Sequence, residues 1–120
     1  MPQISSFQQL ETWQEAHKLV LMVYRVTKEF PNDEKFGLVS QMRRAAVSIP
    51  ANIAEGFKRR GVQDKLRFYN TSESSLEELK YYFILSKDLD YIPANQNLIS
   101  HTETVGRLLN GLINSTKRRL

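Results

Sequence analysis

The residues of this 120-residue chain that could do chemistry are two histidines, a run of hydroxyls and three groups of cations. An imidazole can hold a metal or move a proton, so His17 and His101 come first. Neither stands three residues after a glutamate, the spacing that sets both ligands of a di-iron bundle site on one helix face. No His-Glu-x-x-His motif, no phosphate-cradling Gly-rich loop and no Gly-x-Ser-x-Gly elbow occurs. Some helical ribonuclease domains use an arginine followed four to six residues later by histidine, and neither histidine here has one. The hydroxyls of Thr71, Ser72, Ser74 and Ser75 have no histidine near them in sequence, whereas a hydrolase needs a base beside its nucleophile. This reading assigns no catalytic residue, no metal site and no cofactor, and the chain is expected not to be an enzyme.

The cations are the stronger signal. Arg43 and Arg44 stand together, Lys58, Arg59 and Arg60 follow, and Lys65 and Arg67 extend that cluster. Lys117, Arg118 and Arg119 lie at the far end of the sequence. The formal net charge is +4, unevenly spread: residues 1–35 carry −1, 36–67 carry +5, 68–100 carry −3 and 101–120 carry +3. Such asymmetry marks a surface for nucleic acid or another acidic partner. Two plainer readings stand beside it. Lysine and arginine complement the dipole in the last turn of a helix, and Lys117–Arg119 reads equally as a solvated, frayed tail.

Four amphipathic segments would carry these residues. The apolar rhythm predicts helices over about 7–29, 36–59, 62–89 and 94–117, joined by short turns. Ser5 or Ser6 is the expected N-cap of the first, and Phe30-Pro31-Asn32-Asp33 ends it. Its apolar residues form two strips. The second strip, Leu19, Met22, Val26 and Phe30, exceeds what one bundle seam requires, and it is read as a subunit interface in preference to core. In the second helix Leu38, Met42, Ala45, Ile49, Ile53 and Phe57 keep helical spacing straight through Pro50. A proline there removes a backbone donor and crowds the carbonyl of Ala46, which predicts a kinked helix held by its neighbours. Arg44, Ser48, Asn52 and Glu55 make a polar stripe along it, either a solvent face or a seam where Asn52 and Glu55 find partners. The third helix carries Leu66, Tyr69, Leu76, Leu79 and Phe83 on its core face. Its hydroxyl-rich middle reads as a close-approach segment facing the alanines of the second. Leu98, Thr102, Val105, Leu109, Leu112 and Thr116 mark the seam of the fourth. The fold class is all-α, a single domain over 1–120, with the helices running up-down-up-down in an antiparallel four-helix bundle.

No cysteine occurs, so disulfides and thiolate metal sites are excluded. The longest nearly uncharged apolar run, Leu19–Tyr24, is too short to span a bilayer, and the opening residues lack the basic-then-apolar pattern of a secretory signal. A cytoplasmic protein with no membrane partner is the expectation.

The segment from Arg43-Arg44-Ala45-Ala46 through Ser48-Ile49-Pro50-Ala51-Asn52-Ile53-Ala54-Glu55-Gly56 resembles the hallmark of a bacterial four-helix-bundle family once called ribosomal intervening-sequence proteins. Their genes were first noticed within intervening sequences of 23S ribosomal RNA. The resemblance extends to Trp13, to Arg67-Phe68, to Ser75-Leu76-Glu77-Glu78-Leu79 and to Leu85–Ile92. One departure is Ser74, where the family often has glycine. The resemblance implies an antiparallel bundle that assembles as a ring-like homopentamer, with no established enzymatic activity. A related accessory protein of diversity-generating retroelements forms a basic pentameric barrel and binds reverse transcriptase and nucleic acid. The expected function is therefore a non-enzymatic homo-oligomeric scaffold binding RNA or DNA. Its contacts would be Arg43, Arg44, Lys58, Arg59, Arg60, Lys65, Arg67, Lys117, Arg118 and Arg119. Met22, Val26, Ser48, Pro50, Asn52, Glu55, Ser75 and Glu78 would serve structure or subunit contact. The alternative is a protein-interaction module acting with a gene-neighbour protein, without direct nucleic-acid binding.

Overall fold

The computed structural model describes residues 4–93 and 96–120. Four helices follow one another: α1 (Glu11–Thr27), α2 (Leu38–Lys58), α3 (Val62–Asp88) and α4 (Gln96–Lys117). The expected start of the fourth at 94 lies outside the described residues. Each helix packs on its two neighbours in the cycle α1, α2, α3, α4, while the diagonal pairs keep their backbones apart. Side-chain bonds between helices pair residues in opposite order. Thr12 reaches the Leu108 carbonyl and Glu15 meets His101, whereas Arg44, Ser48 and Ile49 pair with Glu78, Ser75 and Ser72. Neighbouring helices are thus antiparallel. The α1–α2 and α3–α4 connections share one end of the bundle, and the α2–α3 turn shares the other with the last turn of α4.

The helices begin and stop where local chemistry directs, with one departure from expectation at the start of α1. Ser6 does cap, but it caps a single 3-10 turn, Phe7–Gln9, closed by the Gln9 side chain folding back. Leu10 then adopts an extended conformation, so α1 starts at Glu11 and not at 7. At the other end of α3, Asp90 takes a left-handed φ of 62°. Its N–H and that of Tyr91 close on the carbonyls of Lys87 and Ser86, each at 2.9 Å. This is the two-bond helix stop usually built on glycine.

The core takes in part of the second strip of the first helix. Leu19 and Phe30 are buried, and Met22 and Val26 are half-buried against the same apolar cluster. Leu19 and Phe30 thus face the interior, because two neighbouring helices, α2 and α4, cover a wider arc of α1 than one seam would, while Met22 and Val26 keep part of their surface. Ile113 is buried as well, one position beyond the Leu112 of the seam read from spacing, and Leu112 itself is half-buried.

The most extensive pairing is α2 on α3. Ala45, Ala46, Ile49 and Pro50 are buried along α2, and Ser72 and Ser75 are buried opposite them. Small side chains let the two backbones approach, so hydroxyls reach across. Ser72 donates to the Ile49 carbonyl at 2.8 Å, and Ser75 donates to the Ser48 hydroxyl at 2.8 Å. Asn52 bonds back to the carbonyl and hydroxyl of Ser48 at 2.8 and 3.0 Å. These bonds fall on Ser48 and Ile49 and not on the Ala46 carbonyl crowded by Pro50. No buried side-chain polar atom among the described residues lacks a partner, as interiors require.

Candidate nucleic-acid interface

Ten cations were singled out by type and spacing, and the fold sorts them into two groups. Arg43 and Arg44 are neighbours in sequence but point to different helices. Arg43 turns toward α1, where its Nε donates to the Thr27 hydroxyl at 3.0 Å and a terminal nitrogen reaches the Tyr24 carbonyl at 3.4 Å. Its guanidinium also lies 4.5 Å from the Tyr24 ring centroid. Arg43 thereby neutralises the carbonyl end of α1, and its guanidinium is engaged in that seam. Arg44 turns toward α3, bonding Gln41 and pairing with Glu78 at 3.7 Å. Glu78 in turn accepts from Tyr82, whose phenol is pushed up first by that bond and then by burial.

The other cations meet at one end of the bundle. Lys58 closes α2, Arg59 and Arg60 form the turn, and Lys65 and Arg67 lie in the first turns of α3. Lys117, Arg118 and Arg119, at the end of α4, are exposed at the same end. Lys65 donates to the carbonyls of Phe57 at 2.7 Å and Gly56 at 3.4 Å, capping α2. Its ammonium is held below the usual lysine range by loss of solvent and by the charge of Arg119. Arg119 also acts on Tyr69, whose phenol burial pushes up while that charge pulls it down. Segments more than 50 residues apart in sequence are therefore within electrostatic reach. Asp64 is the carboxylate that pairs within this end, with Arg67 at 3.0 Å. Glu55, one turn back on α2, is exposed and without a partner among the described residues.

Phe57 and Phe68 belong to this end and were not singled out for it. Lys65 lies 5.5 Å from the Phe57 centroid, and the guanidiniums of Arg59 and Arg67 each lie 4.6 Å from that of Phe68. The rings thus carry cations, so they serve here as seats for charged side chains. The sequence held one clue, the adjacency of Arg67 and Phe68, but Arg59 meets the ring only through the turn.

The remaining candidates occupy the flanks. His17 stacks on Trp13, with centroids 5.1 Å apart and planes 8° from parallel. His101 lies 2.8 Å from the Glu15 carbonyl, and the Glu15 carboxyl is held below its usual range chiefly by its hydrogen bond to Lys18. Two apolar grooves open on the surface. One, of about 370 Å³, lies between α3 and α4 beside Ile84 and Ile99. The other, of about 360 Å³, lies between α1 and α2 beside Trp13, Val47 and Pro50. Neither brings serine, glutamate and histidine together. No cluster of three metal-ligating side chains occurs among the described residues, and no described helix is long and apolar enough to cross a membrane.

A family model described as 23S rRNA-intervening sequence protein matches residues 8–111, and the chain belongs to that family. A crystal structure from Bacteroides thetaiotaomicron, described as a protein with unknown function from the S23 ribosomal protein family, is similar in fold. The two are 22% identical with a TM-score of 0.78, over 86% of this chain and 95% of that one. No curated protein matches the chain.

Proposed function

We propose that this member of the intervening-sequence family is a non-enzymatic, homo-oligomeric scaffold that binds RNA or DNA through the cationic end of its bundle. The observation that carries this reading is the meeting of the 58–67 segment with Arg119, where a lysine is already short of solvent and crowded by like charge. A polyanion relieves that crowding and releases its own counterions, so affinity comes from charge and not from base sequence. Arg43 drops out of the contact set and Arg44 stands on the flank. Lys58, Arg59, Arg60, Lys65, Arg67, Lys117, Arg118 and Arg119 remain.

The assembly proposed is the ring-like homopentamer implied by the family resemblance, which also brings in a reverse transcriptase as a class of protein partner. Leu21, Tyr24 and Val47 stay exposed on α1 and α2, and Met22 and Val26 are only half-buried. This leaves apolar surface on that flank for neighbouring copies. Static light scattering decides the point, since a mass near 14.0 kDa rejects the oligomer. For binding, fluorescence anisotropy with a labelled RNA hairpin and a DNA duplex should give affinity that falls steeply with salt. Absence of binding at low salt, or affinity indifferent to salt, rejects the nucleic-acid reading.

A further inference from the structure

Among the cations of this end, Arg59 and Arg67 are distinguished by how firmly their guanidiniums are held. Both lie over one ring, each carbon 4.6 Å from the Phe68 centroid. Arg59 comes from the extended residue that follows α2, and Arg67 from the second turn of α3. They meet because α2 and α3 close tightly at Gly56, where an added Cβ would stand 2.6 Å from the Tyr69 ring and 3.1 Å from Phe68 Cβ. Arg67 is held a second time by Asp64, which accepts from its Nε at 3.3 Å and from a terminal nitrogen at 3.0 Å. Arg59 has no carboxylate partner among the described residues. Lys58, Arg60, Lys117 and Arg118 are exposed and have no comparable support.

The geometry points to Arg59 and Arg67, seated on Phe68, as a preorganised site for the phosphodiester backbone, with Phe68 as the positioning residue. This rests on the nucleic-acid reading above and adds a division of labour to it. A guanidinium stacked on a ring presents its N–H groups in its own plane, so stacking and phosphate binding use different parts of the group. Arg59 keeps that edge whole, while Arg67 gives its Nε and one terminal nitrogen to Asp64 and offers its other terminal nitrogen. Phosphate oxygens accept such edges through charge-assisted bonds that fix position without reading sequence. Lys58, Arg60, Lys117 and Arg118 supply charge from side chains that must be ordered at the moment of binding, whereas Lys65 is already held by the α2 carbonyls.

The test is anisotropy of a labelled RNA hairpin with the full chain over a range of salt. R59K, R67K and F68L should each weaken binding about three- to tenfold, the cost of ordering a long side chain that is no longer held. The slope of log affinity against log salt should stay at the wild-type value, because the charge count is unchanged. A K58Q/R60Q double variant should instead flatten that slope by about two. If R59K, R67K and F68L bind like wild type while K58Q/R60Q weakens, the preorganised pair is overturned and the charge-based reading stands. If wild type binds neither the hairpin nor a DNA duplex at low salt, both fall. Circular dichroism checks each variant's fold. Should F68L unfold, the two Arg-to-Lys variants, which keep the ring, still decide.

Discussion

Both ends of the bundle join antiparallel helices, the α2–α3 end by three residues and the α1–α2 connection by ten, and the two ends differ in electrostatics. At the α2–α3 end cations from two distant segments are pressed together, and Lys65 is pushed down by burial and by Arg119. At the other end the α1–α2 connection supplies Asp33 and Glu34, the last residue of α3 is Asp88 and Asp90 follows it, beside Lys28, Lys35 and Lys87. There Tyr91 donates to Glu34 at 2.9 Å, and its phenol is pushed up by that bond, by burial and by the charges of Glu34 and Asp33. Glu34 is bonded into the fold: it also accepts from the Leu38 N–H at 3.3 Å, and Phe30 packs its ring on Tyr91. Asp33, Asp88 and Asp90 are exposed. At the cationic end Asp64 offsets Arg67 while Lys58, Arg60 and the α4 cations face solvent. A carboxylate bonded into the fold stabilises it, whereas an end with surplus cations is available to an anionic partner.

The largest effect should come from removing that surplus. Replacing Lys58, Arg60, Lys117 and Arg118 with glutamine should lower RNA affinity at low salt by about a hundredfold with little loss of helicity. The matching change of Asp33 and Asp88 to asparagine should leave affinity the same or slightly higher. Equal losses from both sets would erase the distinction between the ends. Gly56→Ala comes next. Its Cβ would meet the Tyr69 ring at 2.6 Å, and overpacking of this kind costs about 1–3 kcal/mol, readable as a lower urea midpoint. Arg43→Met should cost about 1–2 kcal/mol by removing a charged hydrogen bond to Thr27, while RNA affinity changes less than about twofold. A large affinity loss in a folded Arg43 variant would return that residue to the binding surface. At the acidic end Asp90→Gly should stabilise by about 0.5–1 kcal/mol, since glycine enters the left-handed region without strain, and thermal melting measures it.

The smallest effect is in titration, and its signs are opposite at the two ends. Lys65 has a depressed value in the fold, so its contribution to stability is full above the unfolded value of 10.5 and is lost as pH falls through the folded value. Tyr91 has a raised value, so its contribution is full below 10.0 and is lost as pH rises through the folded value. Added salt should move Lys65 up only in part, because burial is the larger cause and salt screens only Arg119. Tyr91 should move down. NMR titration of both groups at two salt concentrations reads the contrast, and shifts of the same sign would contradict it.

Much of the bundle was legible beforehand for a simple reason. A helix repeats its faces every 3.6 residues, so Leu66, Tyr69, Leu76, Leu79 and Phe83 declared their buried side without reference to any partner. Met22 and Val26 were harder, because how much of α1 is covered depends on two neighbours whose positions periodicity does not contain. The Ser48 stripe was ambiguous in the same way. Its hydroxyl turned out to face Ser75 on α3, and Asn52 bonds within α2, while Glu55 remains on the surface.

The sequence by itself determined four amphipathic helices, their turns, the family and an excess of cations in two stretches. These are local properties, set by side-chain type and helical period. Only the tertiary structure decided which cations are free and which are occupied. Adjacent helical residues point about 100° apart, so Arg43 and Arg44 were bound to serve different neighbours, and only packing shows that these are α1 and α3. Likewise Arg59 reaches Phe68, and Arg119 approaches Lys65, only because antiparallel packing brings a turn and the end of α4 to the same end of the bundle. Charge is written in composition, but its density at a surface is a property of how the helices are arranged.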